Sequence, residues 1–387
     1  MKSLRIGLLT YHFSDNFGAV LQAYGLRAWL MEQGHRVEFI PYHPKYVEEG
    51  GDFIRPWDPR MGKVNAKIAY LKLSTLQRRI FGNRQQAAAF DAFRRDALGI
   101  TGTTLVTKAE VEAYLQRQSE PFDLISVGSD QIWNPSDQYG LDPVYFGAME
   151  VGHKTRRISY APSFGRDSLD ERFIPMAQQF LRHLDDISVR EASGAELVEK
   201  LTGRAVTCVP DPTFLLRHFS KIVAEAELVE PDQVFCYALR NSVGIREVTE
   251  MIGKELATGI ISPYNAHRRW KEIGRTIHPS PKGWLSTIQK SRFVVTNSFH
   301  GTAFAILLQR PFIVVGLPGT KSSLNARARH LLASVGLSNR FVADGNLNAA
   351  RDMLGQEIDW LAVDQRVAEI QSVGVGFLTR QIELAGG

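Results

Sequence analysis

The 387-residue chain has only two cysteines, Cys208 and Cys236. Both stand in apolar, strand-like contexts without metal-ligand spacing, and both are expected to be buried free thiols of a cytoplasmic protein. No apolar run approaches ~18 residues, so no transmembrane helix is predicted. The opening MKSLRIGLLTYHFSDN has no small-residue cleavage site behind its short apolar run, and it reads as a first strand rather than a signal peptide. GxxxxGK[ST] and GxGxxG are absent, which leaves a P-loop and a nicotinamide cofactor unsupported. The His, Cys and Asp spacings give no metal site. There is no internal repeat and no low-complexity segment.

Acids are scarce in one place. Between Lys63 and Arg95 lie Lys63, Lys67, Lys72, Arg78, Arg79, Arg84, Arg94 and Arg95, against the single acid Asp91. Such a run is a solvated helical face, or it meets an anionic acceptor or an anionic membrane surface. No nucleic-acid motif accompanies it, so nucleic acid is not expected as a partner. The net charge is +5, and the contents of 44% hydrophobic and 22% charged residues are ordinary for a globular chain. The length fits two domains.

Leu4–Thr10 reads as a strand, and Asn16–Gln33 as a helix with Phe17, Val20, Leu21, Tyr24, Ala28 and Met31 on one face. Gly34 stops it and RVEFIPY opens the next strand. This βαβ start implies a parallel sheet with a right-handed crossover. A basic helical insertion occupies about 60–98. DLISV, RRISY, DDISV and AVTCV then read as strands, each running into a polar loop. The pattern resets near 217–230, which divides the chain into an α/β domain 1–220, assigned to the acceptor, and an α/β domain 221–387, assigned to the donor. The second holds QVFCYALR, helices near Val243–Leu256 and Lys282–Lys290, the strand RFVVTN, a helix from Gly301, the strand PFIVVG and a helix over Leu324–Val335. The weakly helical Leu361–Leu384 can pack back on the first domain. The expected fold class is α/β, two doubly wound Rossmann-like domains facing a cleft, GT-B-like. In open α/β sheets ligands bind at the carboxyl ends of strands, where every polar cluster here falls. That placement is the main reason to expect an enzyme.

The sharpest cluster is TNSFHGTAF. An apolar strand delivers Asn297, Ser298 and His300 to its carboxyl end. Gly301 would let backbone approach a ligand, and the helix from Thr302 would aim free amides and its positive dipole end at the same point. That combination suits a phosphate or carboxylate beside a titrating imidazole. The plainer alternative is a capping Ser298 and a core histidine. In SVREA, Arg190 at a strand end can clamp an anion, or pair with Glu191 or Asp186. In GSDQIWN, Asp130 could act as a base or bind sugar hydroxyls while Trp133 stacks on a sugar. Alternatively Asp130 and Asn134 cap a turn and Trp133 is core. The loop His12, Ser14, Asp15 and Asn16 precedes the first helix, where Gly18 could admit a ligand.

Taken together, NFGAVLQAYGL, VGSDQIWN, SYAPSFG, SVREASGAELVEKL, CVPDPTFLL, SPKGWLSTIQKSRFVVTNSFHGTAFAILLQRPFIVV and LNARARHLLASVGLSNR resemble the polysaccharide pyruvyl transferase family. The resemblance implies a GT-B-like fold and transfer of the enolpyruvyl unit of phosphoenolpyruvate onto two sugar hydroxyls, with phosphate released and a cyclic ketal formed. It implies no resident cofactor and no metal. His300 would be the family's histidine and the general acid, and Arg190 would help hold the donor. Several members read Arg-Leu-His where this chain has Ser298-Phe299-His300, so Lys321, Arg327 or Arg329 would have to replace the missing cation, with Ser298, Gly301 and Thr302 completing the donor site. Asn16, Asp130, Trp133, Asn134 and Ser163 are the acceptor candidates, Asp130 also as base. Acceptors would be lipid-linked or nucleotide-linked sugars handled in the cytoplasm, near the inner membrane face. Two other functions remain open: a glycosyltransferase using a nucleotide sugar, and a non-catalytic glycan-binding scaffold.

Overall fold

The computed structural model describes residues 2–136, 139–152, 154–227, 229–240, 242–264, 273–319 and 325–387, with the backbone alone at 78 and 79. The chain divides into two compact units. The first holds 1–82, 94–215 and 373–387, and the second 83–93 and 216–372.

The first unit carries β1 (Arg5–Leu9), β2 (Arg36–Phe39), β3 (Leu124–Val127), β4 (Arg156–Ser159), β5 (Asp186–Val189) and β6 (Thr207–Cys208). They form one sheet in the order β2-β1-β3-β4-β5-β6, with every neighbour parallel. Central strands such as LISV are buried throughout, whereas the edge strand RVEF alternates exposed and buried residues. Its helices are α1 (Phe17–Glu32), α2 (Lys45–Glu49), α3 (Gly62–Phe81), α5 (Lys108–Gln116), α6 (Ile174–Leu181) and α7 (Ala192–Thr202), while α4 (Arg84–Asp96) is divided between the units.

Helix α1 does not have the single apolar face that its spacing predicts. It is buried nearly all round, whereas Met31 is exposed. The reason is a second contact. A Cβ on Gly25 would lie 2.6 Å from the Pro212 carbonyl oxygen, so the glycine lets the PDPTFLL segment close over the outer side of the helix. Cys208 is exposed, contrary to expectation, because β6 is a two-residue edge strand, while Cys236 is buried as expected.

The second unit repeats the design with β7 (Val234–Tyr237), β8 (Ile260–Pro263), β9 (Arg275–Ile277), β10 (Phe293–Thr296), β11 (Phe312–Val315) and β12 (Phe341–Val342). Their order is β12-β11-β10-β7-β8-β9, again parallel. Its helices are α8 (Ser220–Ala224), α9 (Val243–Glu255), α10 (Pro281–Lys290), α11 (Phe299–Leu307), α12 (Asn325–Ser334) and α13 (Leu347–Leu354). A core of Val234, Cys236, Val295, Ile313 and Val315 packs with Ile245, Val248 and Ile252 of α9.

The last helix, α14 (Trp360–Gly386), ends among first-unit residues. The carbonyl of its buried Gln381 accepts hydrogen bonds from Arg156 Nε (2.9 Å) and Nη2 (2.7 Å), and its amide donates to Asp186 Oδ2 at 2.7 Å. Among the described residues no helix is long and apolar enough to cross a membrane.

Candidate active site

Each sheet has a point where the chain reverses its direction of winding: between β1 and β3 in the first, and between β7 and β10 in the second. Crevices outside the carboxyl ends of strands at such points are where open α/β sheets bind ligands. The candidate residues gather at both.

In the second unit the β10 loop leads into α11, which starts at Phe299, earlier than its sequence suggests. Ser298 is its N-cap, and the hydroxyl accepts from the Gly301 amide at 3.3 Å. The Ser298 carbonyl accepts from Thr302 twice, from the amide and from Oγ1, each at 2.9 Å. His300 therefore occupies the first turn of the helix, 9% exposed, with its ring edge-on to Phe299. This corrects three assignments. Ser298 and Thr302 are buried and bonded to one another. The amides of Gly301 and Thr302 are occupied within the helix and cannot clamp a donor. Gly301 serves packing rather than ligand approach, because an added Cβ would come under 3.0 Å from Thr296 Oγ1.

Asn297 ties this loop to its neighbour across the switch point. Its Oδ1 accepts from the Leu239 amide at 2.9 Å, and its Nδ2 donates to the Arg240 carbonyl at 2.5 Å. The exposed Arg240 is thereby held on the loop next to that of His300. Sequence reasoning missed it. The signal was available: a cation three residues beyond a buried strand, although nothing local showed that β7 and β10 are neighbours. Arg329 is exposed on α12 with its guanidinium 3.6 Å from the centroid of the Phe341 ring, a cation–π contact. Arg327 is half-buried on the same helix, and Lys321 lies outside the described residues.

In the first unit a hydrogen-bonded network runs along the carboxyl edge. Thr10 Oγ1 donates to the Ser129 carbonyl at 3.0 Å, and the Ser163 amide to the Asp130 carbonyl at 2.9 Å. Arg190 is buried, and its Nη1 donates to Asp211 Oδ2 at 2.8 Å while Nε donates to Glu191 at 3.1 Å. Burial alone would lower its pKa, but these carboxylates outweigh it and raise the pKa above the ordinary range. A guanidinium neutralised twice and shielded from solvent is not a donor clamp, and this corrects that assignment. Of its two expected partners Glu191 is found, whereas Asp186 is bonded to Gln381.

Two acceptor assignments also change. Trp133 is fully buried, stacked on Phe146 with centroids 4.7 Å apart, and its indole N–H donates to the Tyr145 carbonyl at 2.8 Å. It is core and stacks on no sugar. Ser163 is buried, with its hydroxyl accepting from the Gly165 amide at 2.9 Å. Asn16 caps α1 by accepting from the Ala19 amide at 3.3 Å. Asp130 and Asn134 remain partly open. Asp130 has a left-handed φ of 69°, and Asn134 accepts from Arg166 at 2.8 Å.

The switch-point loop also contains His12, buried and with neither ring nitrogen bonded among the described residues. Burial pushes its pKa down to about 3, helped by the nearby charges of Arg94 and His43. Arg94, which the sequence counts in the basic run, braces this loop by donating to the carbonyls of His12 (2.9 Å) and Phe13 (2.6 Å). Among the described residues no group of His, Cys, Asp and Glu could hold a metal ion.

Many solved structures are similar to the chain, among them the following three. UDP-N-acetylglucosamine 2-epimerase from Rickettsia bellii has a TM-score of 0.54 at 10% identity, over 100% of this chain and 98% of that one. UDP-GlcNAc 2-epimerase from Methanocaldococcus jannaschii has 0.50 at 11%, over 92% and 94%. The glycotransferase of kitacinnamycin has 0.50 at 12%, over 98% and 100%. Identities this low establish a shared fold, the two Rossmann-like domains of the GT-B-like class. No curated protein matches the sequence. The family model for polysaccharide pyruvyl transferase matches residues 16–317, from the cap of α1 past the His300 corner to the end of β11. Since that match covers most of the chain, with the whole of the second switch point inside it, the chain belongs to the polysaccharide pyruvyl transferase family.

Proposed function

We propose that the chain transfers the enolpyruvyl unit of phosphoenolpyruvate to two hydroxyls of one sugar in a polysaccharide or glycan precursor, closing a pyruvate ketal and releasing phosphate. The observation that carries this reading is His300, an imidazole in the first turn of a helix at the switch point of the second sheet, within a chain of this family.

Phosphoenolpyruvate is a polyanion with an electron-rich double bond. A proton delivered to its methylene carbon leaves the central carbon electron-poor, and the first sugar hydroxyl adds there. The second hydroxyl then displaces phosphate. Two C–O bonds form and the one to phosphate breaks. Of the two hydroxyl protons released, one in effect replaces the proton given to carbon and the other leaves with phosphate. This chemistry needs an acid, positive charge around the donor and a base for the acceptor. Imidazole is the side chain suited to exchanging protons near neutrality, and His300 is assigned the acid. The positive end of the α11 dipole favours the donor's anionic groups. Arg240 supplies a cation there, with Arg327 or Arg329 as the other candidates. Asp130 orients or deprotonates the acceptor hydroxyl, with Asn134 beside it. Lipid-linked and nucleotide-linked sugars are the acceptor classes to examine.

The test is to incubate the protein with labelled phosphoenolpyruvate and a panel of galactose, mannose and acetylated amino-sugar acceptors. Phosphate release matched by a rise in acceptor mass is the expected result. Consumption of nucleotide sugars with phosphoenolpyruvate untouched would move a glycosyltransferase ahead. Binding of glycan without any turnover would leave a scaffold.

A further inference from the structure

Helix α3 is fixed to the first unit by one face. Ile68 is fully buried, and Thr75 Oγ1 donates to the Glu48 carbonyl of α2 at 3.1 Å. The opposite face is exposed. Tyr70, Leu73, Leu76, Ile80 and Phe81 are all exposed, Leu73 at 65% and Phe81 at 77%. At about 100° per residue these five fall within an arc of roughly 140°. The loop before the helix adds Trp57, 81% exposed. Five large side chains and a tryptophan form a patch rather than scattered surface residues, and a patch of this kind marks an interaction site.

The charge around the patch decides what it meets. Lys63 and Lys67 lie along one flank of the apolar arc and Lys72 along the other. Between Phe53 and Phe90 the chain has Arg55, Arg60, Lys63, Lys67, Lys72, Arg78, Arg79 and Arg84 but one acid, Asp58. That acid is already paired with Arg60 at 3.0 Å. A protein partner would have to offer apolar groups ringed by carboxylates. The surface of an anionic bilayer offers apolar depth beneath a plane of negative headgroups, and a helix lying in that plane needs apolar residues facing down and lysines at the sides. Tryptophan is favoured at this boundary.

We propose that α3 and the Trp57 loop form a peripheral docking surface for membranes rich in anionic lipid. The helix lies flat, with Leu73, Leu76 and Ile80 among the upper acyl chains and Lys63, Lys67 and Lys72 at the headgroups. The surface stands on exposure and charge alone and is independent of the donor chemistry above.

The full chain is sedimented with vesicles of phosphatidylcholine alone and of phosphatidylcholine and phosphatidylglycerol in equal parts, at low and high salt. The protein should pellet only with the anionic vesicles and be released by salt. Leu73→Glu with Leu76→Glu should abolish pelleting, and each of Lys67→Gln and Lys72→Gln should weaken it about fivefold. Lys67, Leu73 and Leu76 are exposed and Lys72 is half-buried, with none of them in the core, so circular dichroism should match the wild type. Wild-type protein that stays in solution with anionic vesicles overturns the proposal, as does a glutamate variant that still pellets. Light scattering without lipid supplies the remaining arm: a dimer that the glutamate pair splits into monomers would make the face a self-interface and overturn the lipid assignment.

Discussion

Replacing Gly301 by alanine separates two meanings of a glycine beside a candidate acid. If the glycine exists for ligand approach, the folded protein should tolerate or welcome the methyl group, since alanine favours a helix by about 1 kcal/mol. The structure argues the reverse. The new Cβ would crowd Thr296 Oγ1 and lie 3.0 Å from Tyr237 Cδ1 and 3.1 Å from Thr296 Cβ. Thr296 cannot simply turn away, because its hydroxyl donates to the Tyr237 carbonyl at 2.7 Å and accepts from the Ser298 amide at 3.0 Å, in a fully buried position. Overpacking costs about 1–3 kcal/mol, and giving up one buried hydrogen bond costs about 1–3 kcal/mol more. Against the helix gain, the net destabilisation should be about 3 kcal/mol, within a range of about 1–5. Urea unfolding followed by far-UV circular dichroism measures it, with the transition of the second unit analysed separately because two units need not unfold together. The control is a double-mutant cycle with Thr296→Ala. Removing the hydroxyl and methyl makes room for the new Cβ, so the cost of Gly301→Ala should fall by at least about 1 kcal/mol in that background. Unchanged stability in the single variant, or an unchanged cost in the double, refutes the packing argument.

His300→Ala and His300→Gln should each lower the turnover number for phosphate release about 100-fold or more with unfolding unchanged; rates within a few-fold of wild type exclude His300 as the acid. Arg240→Ala should weaken phosphoenolpyruvate binding by about 1.5–3 kcal/mol in calorimetry, as for a charged hydrogen bond, while Arg329→Ala is nearly silent. Asp211→Ala should destabilise the first unit by about 3 kcal/mol, because it removes the fully buried carboxylate of Arg190 and leaves Glu191 alone to neutralise it, and Arg190→Lys should leave the donor KM unchanged; a raised KM in the lysine variant would return Arg190 to the donor site. His12, held near 3, is neutral in the folded state while its unfolded counterpart takes a proton below about 6.5, so its contribution is present above that pH and lost on acidification. Between pH 7 and pH 5 it should remove about 2 kcal/mol. Burial also lowers the pKa of His35 and His183 and raises that of Asp142, so the quantity to measure is the difference between wild type and His12→Phe, which should lose one proton's worth of slope.

The sheets were legible because each central strand is a short apolar run ended by polar residues, as in LISVGSD and FVVTNS, and because the βαβ opening admits one handedness. Local signals also placed His300 and Asp130 at strand ends. What they could not supply was sheet order. Arg240 and His300 are sixty residues apart, and only the pairing of β7 with β10 makes their loops neighbours. Burial misled in the other direction. Arg190 and Trp133 carry side chains that bind anions and sugars elsewhere, yet here Asp211 and Phe146 occupy them. The sequence shows no sign of that, because the partners come from other strands and loops. A one-residue question, whether Ser298 caps the helix, decided the fate of three donor assignments together. Once Ser298 accepts from Gly301, the helix begins earlier and the amides reserved for a ligand are inside it.

The same cap bears on the missing arginine. A serine at the N-cap position accepts from the Gly301 amide and stabilises the helix by about 1 kcal/mol. An arginine has donors only and cannot accept that bond. Serine in place of arginine thus gains a cap and loses a cation at one point in space. If the donor is phosphoenolpyruvate, its charge has to be met from a neighbouring strand end, and β10 has two neighbours. On one side β11 ends in Val314 and Val315, followed by Gly316 and Leu317, an apolar exit with no cation among its described residues up to Gly319. On the other, β7 runs in register with β10 through Thr296 and Tyr237, and its loop is fastened by both ends of the Asn297 amide. That loop carries Arg240, exposed and on the switch-point side. Fastening also matters for function: a cation on a loop held at two backbone positions needs less ordering when the donor arrives than one on a free tether. If Arg240 holds the donor, the asparagine between strand and cap positions it, and Asn297→Ala should weaken phosphoenolpyruvate binding in calorimetry without touching the imidazole.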